Sequence, residues 1–237
     1  MSRTIIVKII QVQFPNNPMN SFDIPKLRGF FANRYPKCDL IHNHLADGRF
    51  KYGYPSIQFK VLNRIPTLIG LSEGFDILKE VFQDVDELVI AGEKAKIWEK
   101  SIQIREDNFG QTDSFFDYQF TSPWMALKEE NYETFKTLDR IEKQQFLRHL
   151  LRENLKTVSK GFCYNIPNIE SVKVEGYFKP RPMNFKNIRM VCFTGEFTTN
   201  FLLPDYLGIG KQVARGFGTV KRVSRWYSNQ SLNSVQS

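Results

Sequence analysis

The spacing of apolar and polar residues predicts a regular order of strands and helices in the first half of the chain. Residues 5–14 alternate in polarity and are rich in Ile and Val, which is typical of a half-buried strand. Helices are predicted over 25–34 and after Gly74, because apolar side chains recur there every three or four positions. Further strands are predicted at residues 40–44, 52–62, 67–70, 87–91 and 96–104.

Similar segments recur in the second half. The longest helical region is predicted over 129–159, where leucines and a valine form one apolar stripe, and Gly161 ends it. The polar residues 108–113 are interpreted as a break in the chain and a domain boundary. Strands are predicted near residues 115–121, 171–179, 188–199 and 219–226.

Two halves of similar element order predict an α+β protein made of two ferredoxin-like (RRM-like) domains in tandem. The predicted domains are residues 1–110 and 111–237. In this fold the helices cover one face of each sheet, and we expect the other face to be open. No direct sequence repeat accompanies the predicted structural one.

Composition narrows the kind of partner. The chain has 237 residues, a net charge of +8 and 41% hydrophobic residues, so it can hold a real core and favours an anionic partner such as nucleic acid. Its three cysteines are scattered and lack metal-binding spacing, which favours a reducing cytoplasm. No apolar run approaches the ~18 residues that span a bilayer, so we expect a cytoplasmic protein without a membrane partner.

A glycine-rich loop near the end of the chain is the first candidate site. Four glycines and two cations lie within residues 208–218, and backbone amides with cations can bind phosphate. A tight hairpin is the plainer alternative, and the spacing fits neither a P-loop nor a dinucleotide-binding motif. The loop therefore favours a polymeric phosphate backbone. The candidate binding residues are Gly208, Gly210, Lys211, Arg215, Gly216, Gly218, Lys221 and Arg222.

A pair of histidines is the second candidate site. His42 and His44 lie two residues apart, and on a strand such positions share a face, with Tyr52 a few residues on. Two neighbouring imidazoles suit proton transfer near neutral pH. Two alternatives stay open at this point. The histidines could be structural, or they could bind a metal with Asp39 and Asp47 as the local carboxylates.

Several segments, taken in order, resemble one branch of the CRISPR repeat endoribonucleases, the subtype I-B-like branch. The glycine-rich loop ends in G-F-G-T-V, as the C-terminal loop of those proteins does. The other similar segments are I-H-N-H at 41–44, Y-G-Y-P-S-I-Q-F-K-V at 52–61, P-T-L-I-G at 66–70 and S-P-W-M-A-L at 122–127.

The resemblance implies an endoribonuclease that cuts precursor CRISPR RNA within each repeat without a metal or cofactor. The 2′-hydroxyl of the RNA attacks the neighbouring phosphate, which leaves a 2′,3′-cyclic phosphate and a 5′-hydroxyl. On this interpretation His44 is the principal acid or base, His42 is its partner, and Tyr52 orients the phosphate. The residues of the glycine-rich loop would bind the RNA.

Two other functions stay open from the sequence. One is a non-catalytic RNA-binding protein on the same folds, and the other is a structural subunit of a CRISPR ribonucleoprotein. The resemblance gives CRISPR repeat RNA as the partner and allows other effector subunits. It leaves the choice between a monomer and a homodimer open.

Overall fold

The computed structural model describes residues 4–42, 53–90, 92–185 and 188–223 of the chain. The helices are α1 (Ile24–Arg34), α2 (Asp39–His42), α3 (Gly74–Asp84), α4 (Glu129–Thr137) and α5 (Arg140–Gly161). The strands are β1 (Ile5–Gln13), β2 (Ile57–Leu62), β3 (Ile65–Leu71), β4 (Glu87–Ile90), β5 (Glu93–Lys96), β6 (Ser101–Phe120), β7 (Val174–Phe185), β8 (Ile188–Leu202) and β9 (Val220–Arg222). None of the helices in these ranges is long and apolar enough to cross a membrane.

The first half has the strand order β2-β3-β1-β6, and every neighbouring pair is antiparallel. One helix precedes the β2–β3 hairpin and another follows it, which is the ferredoxin-like arrangement. Helices α1 and α3 cover one face of this sheet. Their buried side chains form a core with strand residues on that face: Ile10, Val12, Leu27, Phe31, Phe59, Leu68, Leu78 and Val81.

The second half repeats this order as β7-β8-β6-β9, again antiparallel. Helix α5 precedes the β7–β8 hairpin, as α1 precedes β2–β3. A second helix is not repeated between β8 and β9, where the glycine-rich loop and one helical turn, Val213–Arg215, take its place. The predicted pair of ferredoxin-like folds in tandem is confirmed.

Strand β6 belongs to both halves. Its first part, through Phe109, pairs with β1, and its second part, from Gly110, pairs with β8. The prediction that residues 108–113 break the chain is therefore wrong for secondary structure, because one strand of 20 residues runs through them. The polar side chains of residues 108–113 flank the buried side chain of Phe109. The register shift between Gln111 and Phe116 is a bulge within the strand.

The second face of the first sheet is not open, contrary to prediction. Val7 and Ile9 of β1 point to that face and belong to the same buried cluster as Leu155 and Val158 of α5. The ring of Phe109 lies 4.7 Å from the ring of Phe162, just beyond α5. The shared strand brings the two halves onto one core, which covers this face.

The long helix predicted over 129–159 is two helices. The carboxylate of Asp139 accepts the amides of Ile141 and Glu142, at 2.7 and 2.8 Å, and the carboxylate of Glu142 accepts the amide of Asp139 at 2.9 Å. This capping box begins a new helix at Arg140, because it satisfies amides that have no partner in the helix itself. Leu138 separates the two helices in an extended conformation.

The strand predicted at 40–44 is also wrong over its described part. The amides of Ile41 and His42 both donate to the carbonyl of Cys38, at 3.1 and 3.3 Å, which closes the helical turn α2. Strand β2 begins at Ile57, later than predicted, and β9 ends at Arg222. The rest of the predicted last strand extends beyond the described residues.

Candidate functional site

The glycine-rich loop, residues 208–218, uses more than half of its backbone amides in hydrogen bonds within the protein. Six of its amides donate to acceptors within the protein, at Gly208, Ile209, Lys211, Arg215, Gly216 and Gly218. A phosphate cradle of backbone amides is therefore not built at these six positions. The cationic side chains of the loop, rather than these six amides, are the candidates for binding an anion.

Gly208 fixes the loop to the N-terminal half. Its carbonyl accepts the hydroxyl of Tyr54 at 2.6 Å, and its amide donates to Oε1 of Gln58 at 3.0 Å. Desolvation raises the pKa of Tyr54, so the hydroxyl stays a donor. A Cβ at this position would lie 2.6 Å from Cβ of Val213, so only glycine fits. The loop is thus held against the segment that follows residues 43–52.

A cavity of about 450 Å³ lies between α1, the 122–123 segment and the glycine-rich loop. We call it the arginine cavity, because its cationic lining residues are Arg28 from α1 and Arg215 from the loop. None of the described residues that line it is acidic. Much of its wall is apolar and includes Phe22, Met183 and Phe217.

The two guanidinium groups at this cavity repel each other. Burial lowers the pKa of Arg28, and the positive charge of Arg215 lowers it further. Burial also lowers the pKa of Arg215, whose Nη1 donates to Oε1 of Gln212 at 2.9 Å. Two partly buried cations at the same cavity create a positive potential that favours an anion.

Arg28 also links this cavity to the histidine segment. Its Nη2 donates to the carbonyl of His42 at 2.6 Å. The imidazole Nε2 of His42 lies 3.2 Å from the carbonyl of Tyr35, a contact that requires a proton on Nε2. In this position Nδ1 is the nitrogen of His42 that can accept a proton.

His44 and Tyr52, the other two predicted catalytic residues, lie outside the described residues. Because His42 ends a helical turn, the strand argument that put both imidazoles on one face does not apply to it. A shared site for the two histidines remains a prediction.

A second cavity, of about 360 Å³, adjoins the first and shares Ser122 and Gly216 with it. We call it the lysine cavity, because Lys60 and Lys221 line it together with Arg181. No acidic residue occurs among its described lining residues.

Lys60 is unusual among the cations of the lysine cavity because it is only 1% exposed. Its ammonium donates to Oγ1 of Thr219 at 3.1 Å, just after the glycine-rich loop. Burial lowers the pKa of Lys60 to about 7. The charge of this lysine therefore changes near neutral pH, at the junction between β2 and the loop.

The remaining predicted binding residues do not share one cavity. Lys221 faces the lysine cavity and lies 5.7 Å from the ring of Tyr206. Arg222, the next residue, lies 4.5 Å over the ring of Phe116 and lines neither cavity. Lys211 is half-buried and is absent from the described lining of both cavities.

Sequence reasoning missed Arg28, Lys60 and Arg181. Lys60 carried no signal in the sequence, because polar and apolar residues alternate in β2 as they do in a half-exposed strand, whereas positions 57–60 are all buried in the structure. This strand is covered on both faces, so its polar residues must serve a second contact. Arg28 carried no signal either, because its contact with the carbonyl of His42 depends on how α1 packs against α2.

The sequence left open a metal site at the histidine pair. Within the described ranges, no group of three or more His, Cys, Asp and Glu side chains could hold a metal ion. His44 and Asp47 are outside those ranges.

Comparison with known proteins agrees with this architecture. The model of the Cas6b N-terminal domain matches residues 5–108, and that of the Cas6b C-terminal domain matches residues 110–223. A crystal structure of Cas6b is 41% identical, with a TM-score of 0.88 over 92% of this chain and 100% of the other. The crystal structure of a CRISPR RNA processing endoribonuclease Cas6b is 37% identical, with a TM-score of 0.75 and the same coverage.

A relative from Methanocaldococcus jannaschii, an uncharacterized protein, is 33% identical over 144 residues, which are 61% of this chain and 97% of that protein. The family models meet within β6, the strand that the two halves share. The two models together account for nearly all of the described chain, and the protein belongs to the Cas6b family.

Proposed function

We propose that this protein is an endoribonuclease that cleaves precursor CRISPR RNA within its repeats. The observation that carries the proposal is the arginine cavity, where two cations from different halves flank a space whose described lining residues include no acid, and where Arg28 also bonds to His42. Membership of the Cas6b family supports it, as does likeness to the Cas6b structure described as a CRISPR RNA processing endoribonuclease.

The proposed reaction is an internal transfer of the phosphodiester and needs no metal ion. The 2′-oxygen of the RNA forms a bond to the adjacent phosphorus, and the bond from phosphorus to the 5′-oxygen breaks. A base takes the 2′-hydroxyl proton and an acid gives a proton to the leaving 5′-oxygen. The products are a 2′,3′-cyclic phosphate and a 5′-hydroxyl, so atoms and protons balance without a cofactor.

In this mechanism His44 is the principal acid or base and His42 its partner. The Nε2 contact of His42 with a carbonyl supports a role through Nδ1. Tyr52 orients the phosphate or donates to it as charge gathers on its oxygens. Each proton transfer contributes typically ~10²- to 10⁴-fold to the rate.

RNA binding in this proposal is divided between side chains and loop shape. Lys211, Arg215, Lys221 and Arg222 contact the RNA backbone through their charges. Gly208, Gly210, Gly216 and Gly218 act by setting the path of the loop, because the amides of three of them already donate within the protein.

The test is incubation of the pure protein with repeat RNA in EDTA. We expect one cut per repeat, with cyclic phosphate ends, at the rate observed with Mg²⁺ present. Loss of cutting in EDTA would identify a metal-dependent nuclease and contradict the mechanism. Binding without cutting in both conditions would favour a non-catalytic RNA-binding protein.

A further inference from the structure

The arginine cavity has the features of a site for one unpaired nucleotide. Two guanidinium groups line a space of about 450 Å³, and its other described walls carry no acidic side chain. Small-molecule sites have volumes of about 300 to 1,000 Å³ and combine apolar walls with a few polar groups. This cavity fits that pattern.

One buried donor of Arg28 has no acceptor among the residues that the structure describes. Its Nη2 is used by the carbonyl of His42, at 2.6 Å. Its Nε is buried and has no hydrogen-bond partner among the described residues. An unsatisfied buried donor is costly, and a phosphate oxygen is the kind of acceptor that would satisfy a guanidinium.

The neighbouring charge of Arg215 points to the same ligand. Repulsion by Arg215 adds to burial in lowering the pKa of Arg28, so the two cations are close enough to share a field. An anion between them relieves this repulsion, and a phosphate can accept hydrogen bonds from two guanidinium forks at once.

The apolar wall suits a base. Phe22 lines the cavity and is 73% exposed, although large aromatic side chains are mostly buried elsewhere in this protein. Exposed aromatic rings beside cations stack the bases of single-stranded RNA. Met183, Pro123 and Phe217 add further apolar surface to the same cavity.

We propose that the arginine cavity is a single-nucleotide subsite, in which Arg28 and Arg215 hold the phosphate of one unpaired RNA nucleotide and Phe22 stacks on its base. This inference rests on the proposed ribonuclease function and adds a specificity determinant to it. A base inside a duplex is stacked on both sides and cannot enter, so the subsite selects an unpaired nucleotide. Arg28 also donates to the backbone carbonyl of His42, so the subsite adjoins a residue that we propose takes part in cleavage.

The test uses a repeat RNA that binds but is not cut, because it carries a 2′-deoxynucleotide at the cut site. A series of such RNAs, each lacking the base at one position, is measured for Kd against the wild-type protein. We expect one position near the cut where loss of the base raises Kd by about 5- to 150-fold, the range for one stacked base.

Phe22→Ala is the decisive variant, since the exposed ring can be removed without disturbing the core. It should bind the intact RNA as weakly as wild type binds the RNA without that base, and removing the base should then have no further effect. Arg28→Ala should weaken binding and reduce the salt dependence of Kd by about one phosphate contact. Lys26→Ala is the matched control, because Lys26 lies on the same helix, is exposed and pairs with Asp23.

Equal penalties for the missing base in wild type and Phe22→Ala would overturn the subsite, and so would wild-type affinity in both variants. Cutting of all-ribose repeat RNA by the wild-type protein is scored separately. Normal cutting with no Phe22 effect rejects only the subsite. A Phe22-dependent base position in a protein that cuts nothing rejects only the nuclease.

Discussion

The two halves of the molecule share a strand order but differ at the place of the second helix. In the N-terminal half α3 fills this place and buries Leu78 and Val81 against its own sheet. In the C-terminal half the glycine-rich loop fills it, and its Gly208 is bound by Tyr54 and Gln58 of the other half. The cavities with candidate chemistry lie where the repeat is incomplete, because a loop leaves space that a helix would fill.

The largest expected effect is on the rate of cleavage, which we assign to the first half, with little effect on RNA binding, which we assign to the second half. His44→Ala should lower single-turnover cutting of repeat RNA by at least ~10²-fold, because one proton transfer is lost, and should leave Kd for RNA near the wild-type value. His149→Ala is the control, an exposed histidine on α5 that should cut normally. Cutting by His44→Ala at the wild-type rate would contradict the assignment of His44 as the principal acid or base.

The glycine-rich loop should be far less tolerant of substitution than an ordinary turn. Gly218 has a φ of 62°, and a Cβ there would overlap the carbonyl oxygen of Ile209. Gly218→Ala should lower the free energy of unfolding by roughly 2 to 4 kcal/mol, from left-handed strain and overpacking together.

Gly92→Ala is the matched control for this substitution. Its φ is 86° but a Cβ would meet nothing within 4 Å, so only strain of about 1 to 2 kcal/mol is expected. Denaturant unfolding of the two variants gives the comparison. Equal losses would mean that close packing of the loop contributes nothing.

The free energy of unfolding should depend on pH through Lys60, which lies at the junction between the halves. The pKa of Lys60 is lowered from 10.5 to about 7 in the folded protein, so between these values the unfolded chain binds more protons. Stability therefore rises with pH across this window, and burial of the charged lysine destabilises the protein below pH 7.

Lys60→Met removes the titrating group and keeps an apolar side chain of similar length. The variant should be more stable than wild type at pH 6, and this advantage should shrink by roughly 4 kcal/mol by pH 10. Urea unfolding of both proteins across the range measures the difference. A constant difference would show that Lys60 keeps its ordinary proton affinity in the fold.

The smallest effect concerns the cations of the loop. Replacing Lys211 and Arg215 together with alanine should weaken RNA binding and reduce the slope of log Kd against log salt by about 1.4, two contacts to single-stranded RNA. Lys79 and Lys94, exposed in the first half, provide a control pair with the same change in charge. An unchanged slope would assign the two loop cations a structural role.

Much of the fold was predictable because hydrophobic spacing reports which face of an element is buried. The alternation of polar and apolar residues in β1 predicted a strand of the first sheet, and the apolar stripe of α1 predicted a helix that covers it. The break predicted at 108–113 was wrong because polar residues on a continuous strand resemble a loop when its partner strands are unknown. The helix predicted over 129–159 was divided by the cap at Asp139, a local signal that a long apolar stripe obscured.

The site was predictable only in part. The glycine-rich loop and its cations were visible in sequence, whereas the destinations of its amides depended on residues far away, such as Gln58 and Pro123. The contact of Arg28 with His42 depends on how α1 meets the helical turn α2, which the predicted strand at 40–44 had excluded.

Replacement of a single RNA oxygen tests the proposed chemistry most directly. Repeat RNA with one 2′-deoxynucleotide just upstream of the scissile phosphate is compared with all-ribose RNA, both in EDTA. The all-ribose RNA should be cut to a 2′,3′-cyclic phosphate and a 5′-hydroxyl, and the modified RNA should bind but stay intact. Cutting of the modified RNA at that phosphate, at the same rate, would contradict attack by the 2′-hydroxyl.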